Sequence, residues 1–246
     1  MTAILAGAVT FVLTALLTIA GVAAAFVLIP VFLALGIEVH TAMATALLVN
    51  AVGLSVASVN FIRRQLVVWR VALPMMAIAS VLSPLGASVN RGLDRPVLLS
   101  LFVGFALFAA LVMLFYTPRA REPSANSPLL LVVGLGVGGL AGFLCGLLGV
   151  AGGSIIVPAL VALGVDPKKA SASTALVVIF SSLTGFLSHL SLAMDYGLLG
   201  WTAAGSAAGA ALGSWLLADR LDGRRVKPLV GLVLLGIAAK LALDLN

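Results

Sequence analysis

The chain has 246 residues, of which 62 % are hydrophobic and 9 % charged, with a formal net charge of +6. A soluble domain carries roughly 25 % charged and about 45–50 % apolar residues, so this chain cannot clothe itself for water and must be solvated by lipid. Its 14 basic residues are scattered among short breaks, which excludes a nucleic-acid footprint and reads as topology signals and contacts with anionic headgroups.

Apolar stretches run over about 3–37, 41–62, 66–89 and 97–116, and resume over about 129–164, 170–190, 198–217 and 229–243. The eight acids (Glu38, Asp94, Glu122, Asp166, Asp195, Asp219, Asp222 and Asp244) fall in the breaks or near residue 246. The first stretch has no basic leader and is too long for a signal peptide, so it reads as the first membrane segment. Stretches near 20 residues fit one crossing of a ~30 Å hydrocarbon core. The first stretch of each half does not fit, since residues 1–37 would make a helix about 55 Å long. Both carry breakers: Gly21 and Pro30 in one, Gly149, Gly152, Gly153 and Pro158 in the other. Each is expected to form two helical pieces folded into a broken, re-entrant hairpin. Non-helical backbone at that depth must be buried in protein or line a wet cavity.

The breakers match because the chain repeats internally. An offset of 128 aligns residues 21–48 with 149–176, and 10 of those 28 positions are identical, among them Gly21/Gly149, Pro30/Pro158, Gly36/Gly164 and Leu48/Leu176. Leu93-Asp94 matches Leu221-Asp222 at the same offset, and Trp69 matches Trp201 after a four-residue insertion. Duplication of a membrane unit is a habit of secondary transporters. With a hairpin in each half the halves are inverted. One side then collects Arg63, Arg64, Arg70, Arg119, Arg121, Lys168, Lys169, Arg220, Arg224, Arg225 and Lys227, which is 11 of the 14 basic residues. Without hairpins the halves are parallel and the split is 8 to 6, so the positive-inside rule favours inversion, with both termini non-cytoplasmic.

The expected fold is therefore an all-α polytopic membrane protein of two inverted repeats, each of about five helical segments. Residues 1–116 form the N-terminal repeat, 117–128 (TPRAREPSANSP) a polar linker and 129–246 the C-terminal repeat. Gly134, Gly138, Gly142 and Gly146, and likewise Gly205, Gly209 and Gly213, recur every fourth residue and offer faces for close helix packing or for a homo-oligomer. The literal GxGxxG at 134–139 lies inside an apolar stretch with no strand before it, so it is not read as a dinucleotide site.

The strongest chemical signal is Gly152-Gly153-Ser154 at the start of a short helix. A helix start leaves up to four N–H groups unpaired and presents the positive end of the dipole. The repeat places a second start near Val22, Ala24 and Ala25. Two such starts meeting at the midplane would bind a small anion without Arg or Lys; alternatively the glycines only permit hairpin packing. Counting depth along the following helices brings Asn50, Ser181 and Ser182 level with the starts, and sets Thr45, Ser173 and Thr174 nearer the membrane surface as entrance or packing groups. His189 is an ionisable group inside an apolar run, near its end, where it suits a gate, a substrate contact or a satisfied structural role. Trp69, Trp201, Trp215, Tyr116 and Tyr196 fall near segment ends as interfacial anchors.

No acid lies within an expected span, so the carboxylate relay of a proton-coupled pump is missing. No Walker A or HExxH pattern occurs, and the lone Cys145 excludes disulfides and Cys-ligated metal, so no cofactor or metal is expected. Ser154 and His189 lack a nucleophile elbow and a third orienting group, which argues against a hydrolase.

Residues 149–164 (GVAGGSIIVPALVALG), 170–175 (ASASTA), Ser188-His189 and Trp201 together resemble the sulfite exporter family TauE/SafE, and the first-half copy extends the likeness over nearly the whole chain. Ala24-Ala25 depart from the pattern, standing where glycines occur in the second half. The resemblance implies a non-enzymatic inner-membrane transporter that exports sulfite or a small organosulfonate. Anion export from a cell negative inside runs with the field, at about 2.3 kcal/mol per charge per 100 mV, so no coupling ion is required. The other readings are a carrier of a different small solute and a non-transporting structural membrane subunit.

Overall fold

The computed structural model describes residues 2–20, 24–115, 128–150, 152–190, 195–219 and 236. Among these residues the chain is all helical: α1 (Thr2–Ala20), α2 (Ala25–Ala34), α3 (Val39–Arg63), α4 (Trp69–Arg91), α5 (Arg95–Phe115), α6 (Pro128–Leu148), α7 (Gly153–Ala162), α8 (Pro167–His189) and α9 (Tyr196–Asp219). Five of the helices contain stretches long and apolar enough to cross a membrane: Val39–Arg63, Trp69–Arg91, Arg95–Val112, Leu130–Leu148 and Pro167–His189. The linker apart from Pro128, and the last expected stretch apart from Gly236, lie outside the described residues.

Burial is inverted relative to a soluble protein. Val81, Leu85, Val132, Leu140 and Leu187 face outward, whereas Thr10, Thr45, Asn50, Ser83, Asn90, Ser182, Thr202 and Ser206 are buried. Lipid solvates the first set, and the second must find hydrogen bonds inside the bundle.

The second long apolar stretch breaks where its glycines predict, α6 ending at Leu148 and α7 starting at Gly153; in the first, α1 ends at Ala20 and α2 starts at Ala25, with Gly21 outside the described residues. The repeat extends to local geometry. Pro30 and Pro158 occupy the same place in their ten-residue helices. Gly36 (φ 80°) and Gly164 (φ 92°) end them in the left-handed conformation. Behind each glycine a six-to-one bond closes the turn, Ile37 N–H to Phe32 O and Val165 N–H to Leu160 O, both 3.0 Å. Acids at matching positions then cap the next helices. Glu38 accepts from Thr41 N–H (3.0 Å), and Asp166 accepts from Lys168 and Lys169 N–H (3.0 and 3.3 Å).

Packing between the halves is reciprocal. α1 lies along α9, α4 lies along α6, and α3 meets α8 at the centre. The glycine faces make the long contacts possible and are filled within the chain. A Cβ at Gly142 or Gly146 would strike the backbone carbonyls of Ala79 and Ser83, and one at Gly205 or Gly209 those of Gly7 and Phe11. Two serines bind the central helices in the same manner. Ser83 on α4 donates to the Ser181 carbonyl on α8 (2.6 Å) and sits against Gly185. Ser206 on α9 donates to the Val49 carbonyl on α3 (2.7 Å) and sits against Gly53.

Two outcomes follow from this packing. Gly146→Ala forces α4 and α6 apart, an overpacking cost of about 1–3 kcal/mol, and should lower the thermal midpoint in detergent by several degrees. Gly136→Ala, which meets open space, should leave it unchanged or raise it. Burial opposes the charge on Glu38, but hydrogen bonds from His40 and Thr41 outweigh it and hold the carboxyl below its ordinary range. A lowered carboxylate stabilises above its unfolded pKa and loses that contribution as pH falls through the folded value. The stability gap between wild type and Glu38→Gln should therefore be full near pH 6 and shrink toward about pH 3. A gap that widens on acidification contradicts this assignment.

Candidate functional site

The two breaks present different chemistry on their two sides. At the end of α6 three consecutive carbonyls, from Cys145 to Leu147, are closed. Gly149 N–H donates to Cys145 O (2.9 Å), and Gly149 itself takes φ 69° to make the turn. His189 Nε2 donates to Gly146 O (2.8 Å); the carbonyl can only accept, so the proton sits on Nε2. Asn90 Nδ2 donates to Leu147 O (2.6 Å). Donors from α8 and α4 thus cover consecutive carbonyls that the break would otherwise strand.

The start of α7 is left open. Gly152 O receives the first helical bonds from Ile155 and Ile156, and Gly152 has no side chain with which to cap the amides beyond it. Ser154 Oγ and Thr174 Oγ1 are buried atoms with no hydrogen-bond partner among the described residues. The glycines around the break also differ in purpose. A Cβ at Gly149 would collide with Met43, and one at Gly152 with Ala141, so packing alone requires both. Gly153 would meet only Thr174 Cγ2, at an ordinary 3.5 Å. Its small size leaves room beside the helix start.

At the start of α2, Ala24 O receives the bonds from Val27 and Leu28. Here the Ala25 N–H donates to Asn50 Oδ1 across from α3 (3.4 Å), while Asn50 Nδ2 has no partner among the described residues. Residues flanking both breaks, Ala24 and Ala25 on one side and Leu147, Leu148 and Val150 on the other, belong with Met43 to one large buried cluster.

The sequence-derived residues distribute as follows. Asn50 is brought to Ala25, and Thr174 to Gly153. Depth counting had set Thr174 nearer the surface. α7 stops at Ala162 and α8 starts at Pro167 under the Asp166 cap, so residues counted as loop are already helix. Ser181 and Ser182 turn instead toward Cys145 on α6, with Oγ–Sγ distances of 3.7 and 3.6 Å. Thr45 bonds back to Thr41 O (2.7 Å), and Ser173 accepts from Val68 N–H ahead of α4 (2.9 Å). His189 caps α6 rather than meeting Ser154. Val22 lies outside the described residues. Interior groups not singled out by sequence include Thr14, Ser83, Asn90 and Ser206. Each is a buried polar residue in an apolar run, a signal that marks an inward face without naming its partner.

The start of α7 thus offers a ligand the positive end of a helix dipole beside two buried hydroxyls without partners among the described residues, a chemistry that suits an anion.

Comparison with known proteins places the chain in a family. A 59-residue stretch is 44 % identical to the "Probable membrane transporter protein YunE" of Bacillus subtilis (strain 168). The match covers 24 % of this chain and 22 % of that protein, so it bears on a segment and not on the whole relative. The sequence pattern of the family described as "Sulfite exporter TauE/SafE" matches residues 5–241. With five stretches able to span a bilayer, the chain is a multi-pass membrane protein, and it belongs to the sulfite exporter TauE/SafE family of membrane transporters.

Proposed function

We propose that this chain exports a small sulfur-containing anion, sulfite or an organosulfonate, across the inner membrane through a site between the starts of α7 and α2. The observation that carries the reading is the open start of α7, where Ser154 Oγ and Thr174 Oγ1 are buried without partners beside a glycine that packing does not require. A buried polar group left unmet costs about 1–3 kcal/mol, which an oxyanion bound there would recover.

Depth supports the placement. Gly152 packs against Ala141, which lies 13 residues along α6 from Pro128, or about 20 Å at 1.5 Å per residue. The chain therefore folds back, and α7 starts near the middle of a ~30 Å core. Reciprocal packing fits two related halves, since exchanging them turns the α1–α9 pair into the α6–α4 pair, and the basic residues favour the inverted arrangement. In that orientation 11 of 14 basic residues face the cytoplasm and both termini face away. The spans carry no Asp or Glu, in keeping with a carrier driven by membrane potential without a carboxylate proton relay.

Ser154→Ala removes one hydrogen bond to a charged ligand, worth about 1.5–3 kcal/mol, so KM for sulfite efflux from liposomes should rise about tenfold to a hundredfold. Gly153→Leu should abolish flux by filling the cradle. Unchanged transport in both variants removes the site. A diffusion potential of about 100 mV, negative on the sulfite side, should support about a fiftyfold concentration ratio for a monoanion. Flux that follows a proton gradient and ignores the potential contradicts the energetic part of the reading.

A further inference from the structure

The two helix starts are chemically unequal. At the offset of 128, Ala25 corresponds to Gly153 and Asn50 to Val178, so the amide that closes the first-half start has no polar counterpart in the second. Asn50 is 2 % exposed, with Oδ1 on the Ala25 N–H at 3.4 Å and Nδ2 unpartnered among the described residues. A carboxamide has one accepting end and one donating end. The Ala25 amide can only donate, so it holds the oxygen toward α2 and presents the NH2 group to the interior. The reversed rotamer would set two donors against each other.

We propose that Asn50 is the specificity-determining residue of the transport site. It replaces the backbone cradle of the first half with one oriented side-chain donor. A single anion is then anchored by the backbone of α7 and Ser154, with Asn50 Nδ2 bonded to one of its oxygens. This rests on the site proposed above. The substrate class is an oxyanion with an unprotonated oxygen at that position. A cation, or a ligand whose own proton points at Nδ2, meets no acceptor there and is rejected.

Asn50→Asp separates this role from simple capping. The two side chains are nearly the same size, and a carboxylate still accepts from Ala25 and suits a helix start. Its free end, however, changes from a donor to a charged acceptor. Asn50→Leu removes both ends and serves where the buried carboxylate prevents folding. The assays are KM for sulfite efflux from liposomes holding the full chain, and the sulfite-dependent rise in its thermal midpoint, with Ser154→Ala run alongside. The expected result is an Asn50→Asp protein at least as stable as wild type without sulfite. It should show no sulfite-dependent rise and a KM increased about tenfold or more, with Asn50→Leu sharing the KM defect. Wild-type KM and thermal response in Asn50→Asp, or in Asn50→Leu if only that variant folds, overturn the proposal. If Ser154→Ala still raises KM, the site stands and only the role of Asn50 falls. If Ser154→Ala also behaves as wild type, the site falls with it.

Discussion

A helix interrupted away from water leaves carbonyls at its end and amides at the next start, and every one needs a partner. That obligation organises this protein. At the 149–152 break the carbonyl side is met in full view: Gly149, His189 and Asn90 reach three consecutive carbonyls of α6. Gly152 brings no capping side chain to the amide side of α7, and the Ser154 and Thr174 hydroxyls nearby have no partner among the described residues. In the proposed reading a bound anion supplies the acceptor at the α7 start, with no basic side chain at the break.

The same obligation explains the scaffold. Close approach of α4 to α6 and of α1 to α9 depends on glycines whose absent side chains let backbone meet backbone. That closeness brings Asn90 and Ser83 within reach of α6 and α8, and Ser206 within reach of α3. Interior hydroxyls and amides therefore serve as fasteners between helices. Ser181 and Ser182 are engaged by Cys145, whereas Ser154, Thr174 and one end of Asn50 are not engaged.

Much of the architecture was legible in the chain, because lipid demands long uncharged helices and punishes breaks that serve no purpose. The break near Gly149, and the likeness of the two halves, could be read from glycines, prolines and an offset of 128. Asn50 was also legible, being polar at the depth of a helix start. The register of α8 was not. Its first turn hides in Pro167, Lys168 and Lys169, which look like loop until Asp166 is seen to cap them. Counting α7 on to Gly164 and α8 only from Ala170 favoured Ser181 and Ser182 over Thr174. Asn90 escaped notice because its importance lies in the Leu147 carbonyl, a partner 57 residues away that no periodicity reveals.

The central claim is that the anion rests on the start of α7. Anomalous diffraction from crystals of the full chain soaked in selenite, the heavier analogue of sulfite, tests it most directly. The account predicts one selenium peak between the two breaks, with its oxygens within about 3.5 Å of Ser154 Oγ, the Gly153 amide and Asn50 Nδ2. A peak beside Cys145 and His189, with the α7 start empty, would contradict it.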